Sequence, residues 1–445
     1  MRFDVAVVGM GPGGEHAAYR LIAGGKKLAV IERELIGGEC SYWACIPSKT
    51  LIRPPEARSE ARRAAGVGDP SLSWADAAAY RDFMVRNYDD AKQIKGYEDQ
   101  GATVFKGDAR LAGPGVVEVG DERIEAKDIL LATGSEPTMP PIEGLEDVDA
   151  WTNREATGVK EIPERTIVIG AGPVGLELAQ MLSRYGSSVA LVQRADRLLD
   201  RETAEVSKLL DGYMADDGIE VHTGKNAVRA RREGDSKVVE FEDGSELSAD
   251  VIVVATGRRP RVKGLGLESI GIDADGGVPI DERCRVAEGV WALGDVTGVS
   301  LFTHVAKYQG RVVSHNLLGR DRVADYRAIP RVVFCDPEIA SVGLSVEQAR
   351  EQGMDVATAT IDLTAVLARP STYEENPRGH LGLVANRDTK TLVGAWAVSP
   401  LAAEWIHHAV LAVRAQVPIE VQLDTVAQFP SYSEGYLLAL EELKL

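Results

Sequence analysis

Apolar residues run almost unbroken through Phe3-Asp4-Val5-Ala6-Val7-Val8, with Asp4 as the interruption. A strand that is apolar on both faces belongs inside a parallel sheet, where helices cover both sides. Gly9-x-Gly11-x-x-Gly14 follows at once, and a helical stretch continues to about Leu21. A second apolar run, Leu28-Ala29-Val30-Ile31, ends in Glu32. Strand, glycine turn, helix, strand and terminal acid, in that order, predict a βαβ dinucleotide-binding unit. The glycines let the backbone approach a pyrophosphate at a helix N-terminus, and Glu32 is placed to accept from ribose hydroxyls. The pattern recurs as Thr166-Ile167-Val168-Ile169, Gly170-x-Gly172-x-x-Gly175 and Val189-Ala190-Leu191-Val192. Between the two copies, residues 53–100 read as mostly helical and charged, with Ser73-Trp74-Ala75-Asp76 resembling a capping box. Strands are predicted at 102–105 and 115–119, and Pro137, Pro140 and Pro141 mark a linker. From about residue 327 strands and helices follow without glycine fingerprints.

Composition narrows the function. A chain of 445 residues, 44% hydrophobic and 27% charged, is a globular protein of two to four domains. No apolar run approaches the ~20 residues that span a bilayer, and no signal sequence precedes the first strand, so a cytoplasmic location is expected. The net charge of −18, with no basic patch, argues against nucleic acid or an anionic membrane as partner. Four cysteines exclude a disulfide scaffold, and no second cysteine pair or histidine cluster supplies a metal site.

Two cysteines are close together, in Gly37-Gly38-Glu39-Cys40-Ser41-Tyr42-Trp43-Ala44-Cys45-Ile46-Pro47-Ser48-Lys49. Pro47 suits the first turn of a helix, so the helix is expected to begin near Cys45, with Cys40 on the loop before it. A thiol at a helix N-terminus is biased towards the thiolate. The pair reads as a redox dithiol; two unrelated buried thiols is the plainer alternative, and is the reading for Cys284 and Cys335. The two glycine fingerprints also differ in an instructive way. Glu32 lies eighteen residues after Gly14, whereas Gln193 lies eighteen residues after Gly175, followed by Arg194 and then Arg197 and Arg201. Without the acid that receives a free 2′-hydroxyl, and with arginines at hand for a 2′-phosphate, the second site reads as one for NADPH.

The cysteine stretch resembles that of the flavoprotein disulfide reductases, in which it reads Gly-Gly-Thr-Cys-x-x-x-x-Cys-Ile-Pro-Ser-Lys; Glu39 stands here in place of the threonine. The resemblance extends over nearly the whole chain. It implies FAD in the first site (Gly9, Gly11, Gly14, Glu32, Gly38), with Cys45 as the flavin-proximal thiol, Cys40 as the interchange thiol and Lys49 beside the flavin. Ala132-Thr133-Gly134 and Thr256-Gly257 resemble the family's two Ala-Thr-Gly turns, and Gly294-Asp295 its second FAD motif. Glu177 resembles the glutamate that pairs with the lysine. Residues 330–344 resemble the start of a dimerisation domain, implying a homodimer. The expected architecture is α/β: two nested Rossmann-like nucleotide-binding domains (FAD, 1–147 and 263–326; NAD(P), 148–262) and a C-terminal α+β dimerisation domain (327–445).

One departure carries chemical weight. The family's tail contains His-Pro-x-x-x-Glu, with the histidine acting on the partner subunit's interchange thiol. Here it reads Phe429-Pro430-Ser431-Tyr432-Ser433-Glu434. A positioned acid/base is worth about 10²–10⁴ in rate, and phenylalanine cannot supply one. Glu434 and Tyr432 are weaker substitutes, and His407 and His408 lie in a helical pattern at 402–413. The expectation is an NADPH-dependent FAD oxidoreductase whose small-molecule acceptor is a quinone, a metal ion or an unusual thiol or electrophile. The alternatives are an ordinary disulfide reductase with a substitute base, such as one acting on dihydrolipoamide or mycothiol disulfide, and a flavoprotein that senses redox state without turning over.

Overall fold

Strand β1 (Arg2–Val8) is buried from Val5 to Val8, as its apolar run requires, and the computed structural model, which describes residues 2–445, places it inside a parallel sheet. Helix α1 (Pro12–Ala23) follows, with Pro12 in its first turn, and leads to β2 (Leu28–Glu32), every residue of which is buried. Helix α2 (Gly38–Tyr42) and helix α3 (Cys45–Arg63) come next. Strands β3 (Thr103–Lys106) and β4 (Glu122–Leu131) complete the central part of the sheet: β1 pairs in parallel with β2 and β4, and β2 with β3. Strand β5 (Val290–Ala292) extends it beyond β4, and the antiparallel segment 116–119 attaches to β4 and carries segment 109–111 on its other side. Helix α4 (Thr303–Leu317) packs against α1. The two helices approach closely because Gly13 and Gly310 meet there: a Cβ on Gly310 would lie 3.0 Å from the Gly13 carbonyl oxygen. These elements form the first of two compact units, made of the described residues up to Ser48, Ala78–Thr138 and Gly257–Asp325.

The second unit comprises Lys49–Ala77, Met139–Thr256 and Tyr326–Leu445. It holds a second parallel sheet, in the order Glu220–His222, Ser188–Val192, Arg165–Ile169, Val251–Val254, with a three-stranded antiparallel sheet of its own. A five-stranded antiparallel sheet follows, in the order Pro330–Val333, Glu338–Gly343, Thr391–Ser399, His380–Asn386, Val356–Asp362. Helices His407–Ala415 and Glu434–Glu441 pack on this sheet through a core that includes Leu381, Trp405, Ile406 and Tyr436. The architecture is thus two Rossmann-like nucleotide folds and an α+β C-terminal domain. Among the described residues no helix is long and apolar enough to cross a membrane, and no cluster of His, Cys, Asp or Glu could hold a metal.

Two local readings need correction. Cys40 lies not on a loop but inside α2, a short helix started by the left-handed glycines Gly37 (φ +122°) and Gly38 (φ +62°) and closed by the Trp43 N–H donating to the Glu39 carbonyl. Glycine pairs read as loops in sequence because the same φ > 0 that ends regular structure can also turn a chain into a helix. The pattern at 402–413 is also broken, into Ala402–Trp405 and His407–Ala415. Of the capping box at residue 73, the structure contains one half: the Asp76 N–H donates to Ser73 Oγ at 3.2 Å.

The second unit is tied together by a buried ionic cluster. Asp336 accepts from Arg378 at 2.7 Å, and from Arg63 and Arg184 at 3.0 Å each. Glu374 binds Arg63 and Arg378 in turn, at 2.7 and 3.0 Å. Burial alone would raise the Asp336 carboxyl, but the Arg378, Arg184 and Arg63 guanidiniums outweigh it and hold it down to about 2. A group depressed in the folded state stabilises the fold above its unfolded pKa and loses that contribution as pH falls through its folded pKa. Chemical denaturation followed from pH 5 down to pH 2 is therefore expected to show stability falling between about pH 4 and pH 2. Asp336→Ala, which leaves three partly buried guanidiniums short of a partner, is expected to cost about 3 kcal/mol and to flatten that acid limb.

Candidate functional site

In the first unit the glycine loop connects β1 to α1. Gly14 has no room for a side chain: a Cβ there would overlap the Gly9 carbonyl, and one at Gly38 would lie 2.6 Å from the Gly11 Cα. Gly11 is different. Its backbone (φ −69°, ψ −179°) suits any residue, and no atom lies within 4 Å of where its Cβ would be. Neither backbone strain nor packing explains a glycine there; the approach of a ligand to the start of α1 does. Glu32 is buried, and its two carboxylate oxygens accept from the Met10 and Glu34 N–H groups, each at 2.8 Å. It braces the loop at the end of β2.

Thr133 Oγ1 donates to the Arg261 carbonyl at 3.0 Å, beside Gly134. Ser135 Oγ donates to Asp295 Oδ2 at 2.6 Å and accepts from Arg258 Nε at 2.8 Å. Burial raises the Asp295 carboxyl, while the Ser135 hydrogen bond and the Arg258 charge oppose that rise. Gly294 donates its N–H to Gln309 Oε1 at 2.6 Å. Arg258 also lies 3.6 Å from Glu39 Oε1, so it bridges Glu39 and the Ser135 hydroxyl that donates to Asp295. Gly257 belongs to this unit too, its carbonyl accepting from the Thr138 N–H at 2.9 Å.

Cys40 and Cys45 are brought together as thiols, both partly buried. Cys45 opens α3, and its Sγ lies 3.4 Å from Thr303 Oγ1, the first residue of α4. The Cys40 thiol is pushed far above the ordinary range, first by its hydrogen bond to Cys45, then by burial and the Cys45 charge; the Thr303 hydroxyl and Lys307 pull the other way. Cys284 and Cys335 are fully buried.

The second unit repeats the loop geometry. A Cβ on Gly175 would overlap the Gly170 carbonyl, whereas the corresponding space at Gly172 (φ −79°, ψ −175°) is open. Gln193 Oε1 accepts from the Ala171 N–H at 3.4 Å, the counterpart of the Glu32–Met10 bond. The amide thus performs the bracing role of the acid but brings no charge. Arg194 and Arg201 are exposed; Arg197 donates through Nη2 to the Asp200 carbonyl at 2.7 Å, and its Nη1 is buried without a protein partner. Lys49 Nζ lies 2.5 Å from Glu177 Oε2 and 4.8 Å from the centre of the Phe334 ring. Glu177 is buried, and its other oxygen accepts from the Phe334 N–H at 3.0 Å.

At the tail, Phe429 is 65% exposed and precedes Pro430 through a cis peptide bond. Glu434 accepts from the Ser431 N–H at 3.3 Å. Tyr432 is buried against Trp405, and burial raises its phenol to about 12. His408 stacks on Tyr436 with ring centres 4.5 Å apart, and burial lowers its pKa. With Gln428 and Ser433 it lines a cavity of about 150 Å³. Sequence reasoning missed Thr303 and Arg258 as site residues: each meets its partner only through the fold, across 258 and 123 positions respectively.

Two nucleotide-type glycine loops in one α/β chain point to the class of pyridine-nucleotide-linked flavoprotein oxidoreductases. Residues 3–310 match the family described as "Pyridine nucleotide-disulphide oxidoreductase", and residues 329–440 match its dimerisation domain. The chain belongs to this family of enzymes, whose members bind FAD, use NAD(P)H and pair through that domain. It is 35% identical to a mercuric reductase of Staphylococcus aureus, over 98% of this chain and 82% of that one. It is likewise 35% identical to a dihydrolipoyl dehydrogenase of Thermus scotoductus, over 99% and 97%. Among solved structures it superposes on the Cu(II) complex of the HOCl-induced flavoprotein disulfide reductase RclA from Escherichia coli with a TM-score of 0.89 at 26% identity, and on LpdA from Mycobacterium tuberculosis with 0.88 at 27%; each alignment covers 99% of both chains.

The open space at Gly11 fits FAD, and that at Gly172 fits the pyridine nucleotide. Gly11→Val is expected to fold with the melting temperature of the unmodified protein stripped of flavin, yet purify without yellow flavin, because its side chain fills ligand space. Retention of one FAD per chain would contradict this assignment of the loop.

Proposed function

We propose that this enzyme oxidises NADPH and passes the electrons through FAD and the Cys45/Cys40 pair to an acceptor other than an ordinary dithiol substrate. The observation that carries this reading is the tail. Phe429 occupies the place of the family's histidine, Tyr432 is turned into the core, and neither offers an acid or base near neutral pH. Bound FAD takes hydride from the nicotinamide and hands on two electrons. The protein's own residues have separate tasks. The Gly9–Gly14 loop, Glu32, Gly38, Thr133, Gly134, Gly294 and Asp295 hold and orient the flavin. Lys49, fixed by Glu177 and the Phe334 ring, sets a positive charge beside it. Cys45 is the flavin-proximal sulfur and Cys40 the interchange sulfur.

Gly170, Gly172, Gly175 and Gln193 hold the pyridine nucleotide, and Arg194, Arg197 and Arg201 supply the charge that a 2′-phosphate requires. The unpartnered Arg197 Nη1 supports this choice. Among acceptors, a thiophilic metal ion has the most support, since several relatives are mercuric reductases and the RclA structure is a Cu(II) complex. A second reading, an ordinary disulfide reductase with a substitute base, is favoured by one observation: His408 shares its cavity with Gln428 and Ser433, on either side of Phe429.

An acceptor screen with NADPH oxidation as readout separates the two. Metal ions or quinones are expected to support turnover, and dihydrolipoamide and low-molecular-weight disulfides to support little. Phe429→His is expected to raise disulfide turnover by at least about tenfold; no change, together with loss of turnover in His408→Ala, would favour the substitute-base reading. The ratio of kcat/KM for NADPH to that for NADH is expected to exceed one and to fall in Arg197→Ala. A preference for NADH in the unmodified enzyme would contradict the assignment of the second site.

A further inference from the structure

We propose that the ion pair between Glu202 and Arg331 positions the loop that carries Arg197 for the 2′-phosphate of NADPH, so that a residue of the C-terminal domain helps set nucleotide choice. The inference rests on the reading of the second nucleotide site as one for NADPH. Residues 193–203 leave the strand Ser188–Val192 and run to the helix Ala204–Asp216. The loop is pinned from two sides. The Leu199 N–H donates to the carbonyl of Ala171, inside the glycine fingerprint, at 3.1 Å. Ser207 Oγ, on the helix, donates to the Leu198 carbonyl at 2.5 Å. Leu198 and Leu199 are buried, and Leu199 adopts a left-handed conformation (φ +44°) that a leucine keeps only where its surroundings impose it. The Glu202 N–H closes the turn on the Leu199 carbonyl at 2.8 Å. Arg197 bonds across this turn: Nη2 donates to the Asp200 carbonyl at 2.7 Å, and Nη1 is buried with no protein acceptor. A buried guanidinium donor without an acceptor costs free energy, and a phosphate oxygen supplies one.

Arg331 holds the far end of the loop. Its Nε and Nη2 donate to Glu202 Oε1 and Oε2 at 2.7 and 3.1 Å, a two-point fork, and its Nη1 donates to the Gly343 carbonyl at 3.2 Å. Arg331 lies on the strand Pro330–Val333, and Gly343 ends the neighbouring strand Glu338–Gly343. The guanidinium is thus fixed to the five-stranded sheet through its own strand and the next, and it passes that order to Glu202, three residues beyond the strained Leu199. A forked pair fixes direction as well as distance, which a lysine cannot reproduce. The Glu202 side chain is only 14% exposed, so solvent screens the pair less than it would a surface pair. A second group of the same domain faces the loop. Glu347 lies on the helix Val346–Glu351; hydrogen bonds from its own backbone N–H and from Ser345 hold its carboxyl below the ordinary range, and the Arg197 charge adds to this. Arg197 is therefore within electrostatic reach of the C-terminal domain. Glu202 and Arg331 act through the loop, as positioning residues.

The test compares two ligands that differ only in the 2′-phosphate, adenosine 2′,5′-bisphosphate and 5′-AMP, titrated calorimetrically into the FAD-loaded enzyme. Arg331→Gln and Glu202→Gln are each expected to weaken the bisphosphate by about tenfold, the worth of one hydrogen bond to a charged group, and to leave 5′-AMP within about twofold. The kcat/KM for NADPH is expected to fall by the same factor relative to that for NADH. The double variant is expected to bind the bisphosphate no more weakly than the worse single variant, because the two residues act as one unit. Unchanged affinity for the bisphosphate in either single variant overturns the proposal. So does equal weakening of both ligands, which would mark general damage to the domain, and so do additive losses in the double variant. If Arg331→Gln does not fold, Arg331→Lys, which keeps the charge but not the fork, is read by the same criteria. If the unmodified enzyme binds the bisphosphate no better than 5′-AMP, the reading of the second site fails and this inference with it. If it discriminates, and Arg197→Ala abolishes the discrimination while the Glu202 and Arg331 variants keep it, the inference alone fails.

Discussion

A dithiol that carries two electrons needs one sulfur that gives up its proton and one that keeps it. Cys40 and Cys45 are held here by two different helices, so their surroundings differ. Cys45 opens a 19-residue helix, and its sulfur lies against the first residue of another helix. Cys40 sits within a five-residue helix of its own, where its hydrogen bond to Cys45 and burial raise its pKa. The rest of the first unit holds this pair next to a nucleotide loop: Gly38, two residues before Cys40, packs directly on Gly11.

The same loop serves two sites with opposite electrostatics. In both, the second-strand side chain braces the turn by accepting from the N–H after the first glycine. A carboxylate does this in the first unit and a carboxamide in the second. The bracing bond survives the exchange of Glu32 for Gln193, while the negative charge that would repel a 2′-phosphate does not.

Much of this was legible in the sequence, because all-apolar runs punctuated by glycines have few structural solutions. The βαβ units, the Lys49–Glu177 partnership implied by the family resemblance, and the burial of Cys284 and Cys335 all follow from local pattern or motif. What escaped was set by distant contacts or by ambiguous punctuation. Gly37-Gly38 read as loop but starts a helix. Thr303 and Arg258 gain their roles only when strands far apart in sequence bring them beside Cys45 and Ser135. Tyr432 looked like a spare acid, but its aromatic body is better buried against Trp405 than left in solvent. The ionic cluster around Asp336 was invisible for the same reason: Arg63 and Asp336 are 273 positions apart.

The central claim is that electrons from NADPH arrive on the two sulfurs of the first unit. It is tested most directly by counting thiols in the oxidised FAD-loaded enzyme before and after one equivalent of NADPH, anaerobically and without acceptor. The account predicts two new reactive thiols, mapped to Cys40 and Cys45. Oxidation of NADPH with no new thiol at either position would contradict it.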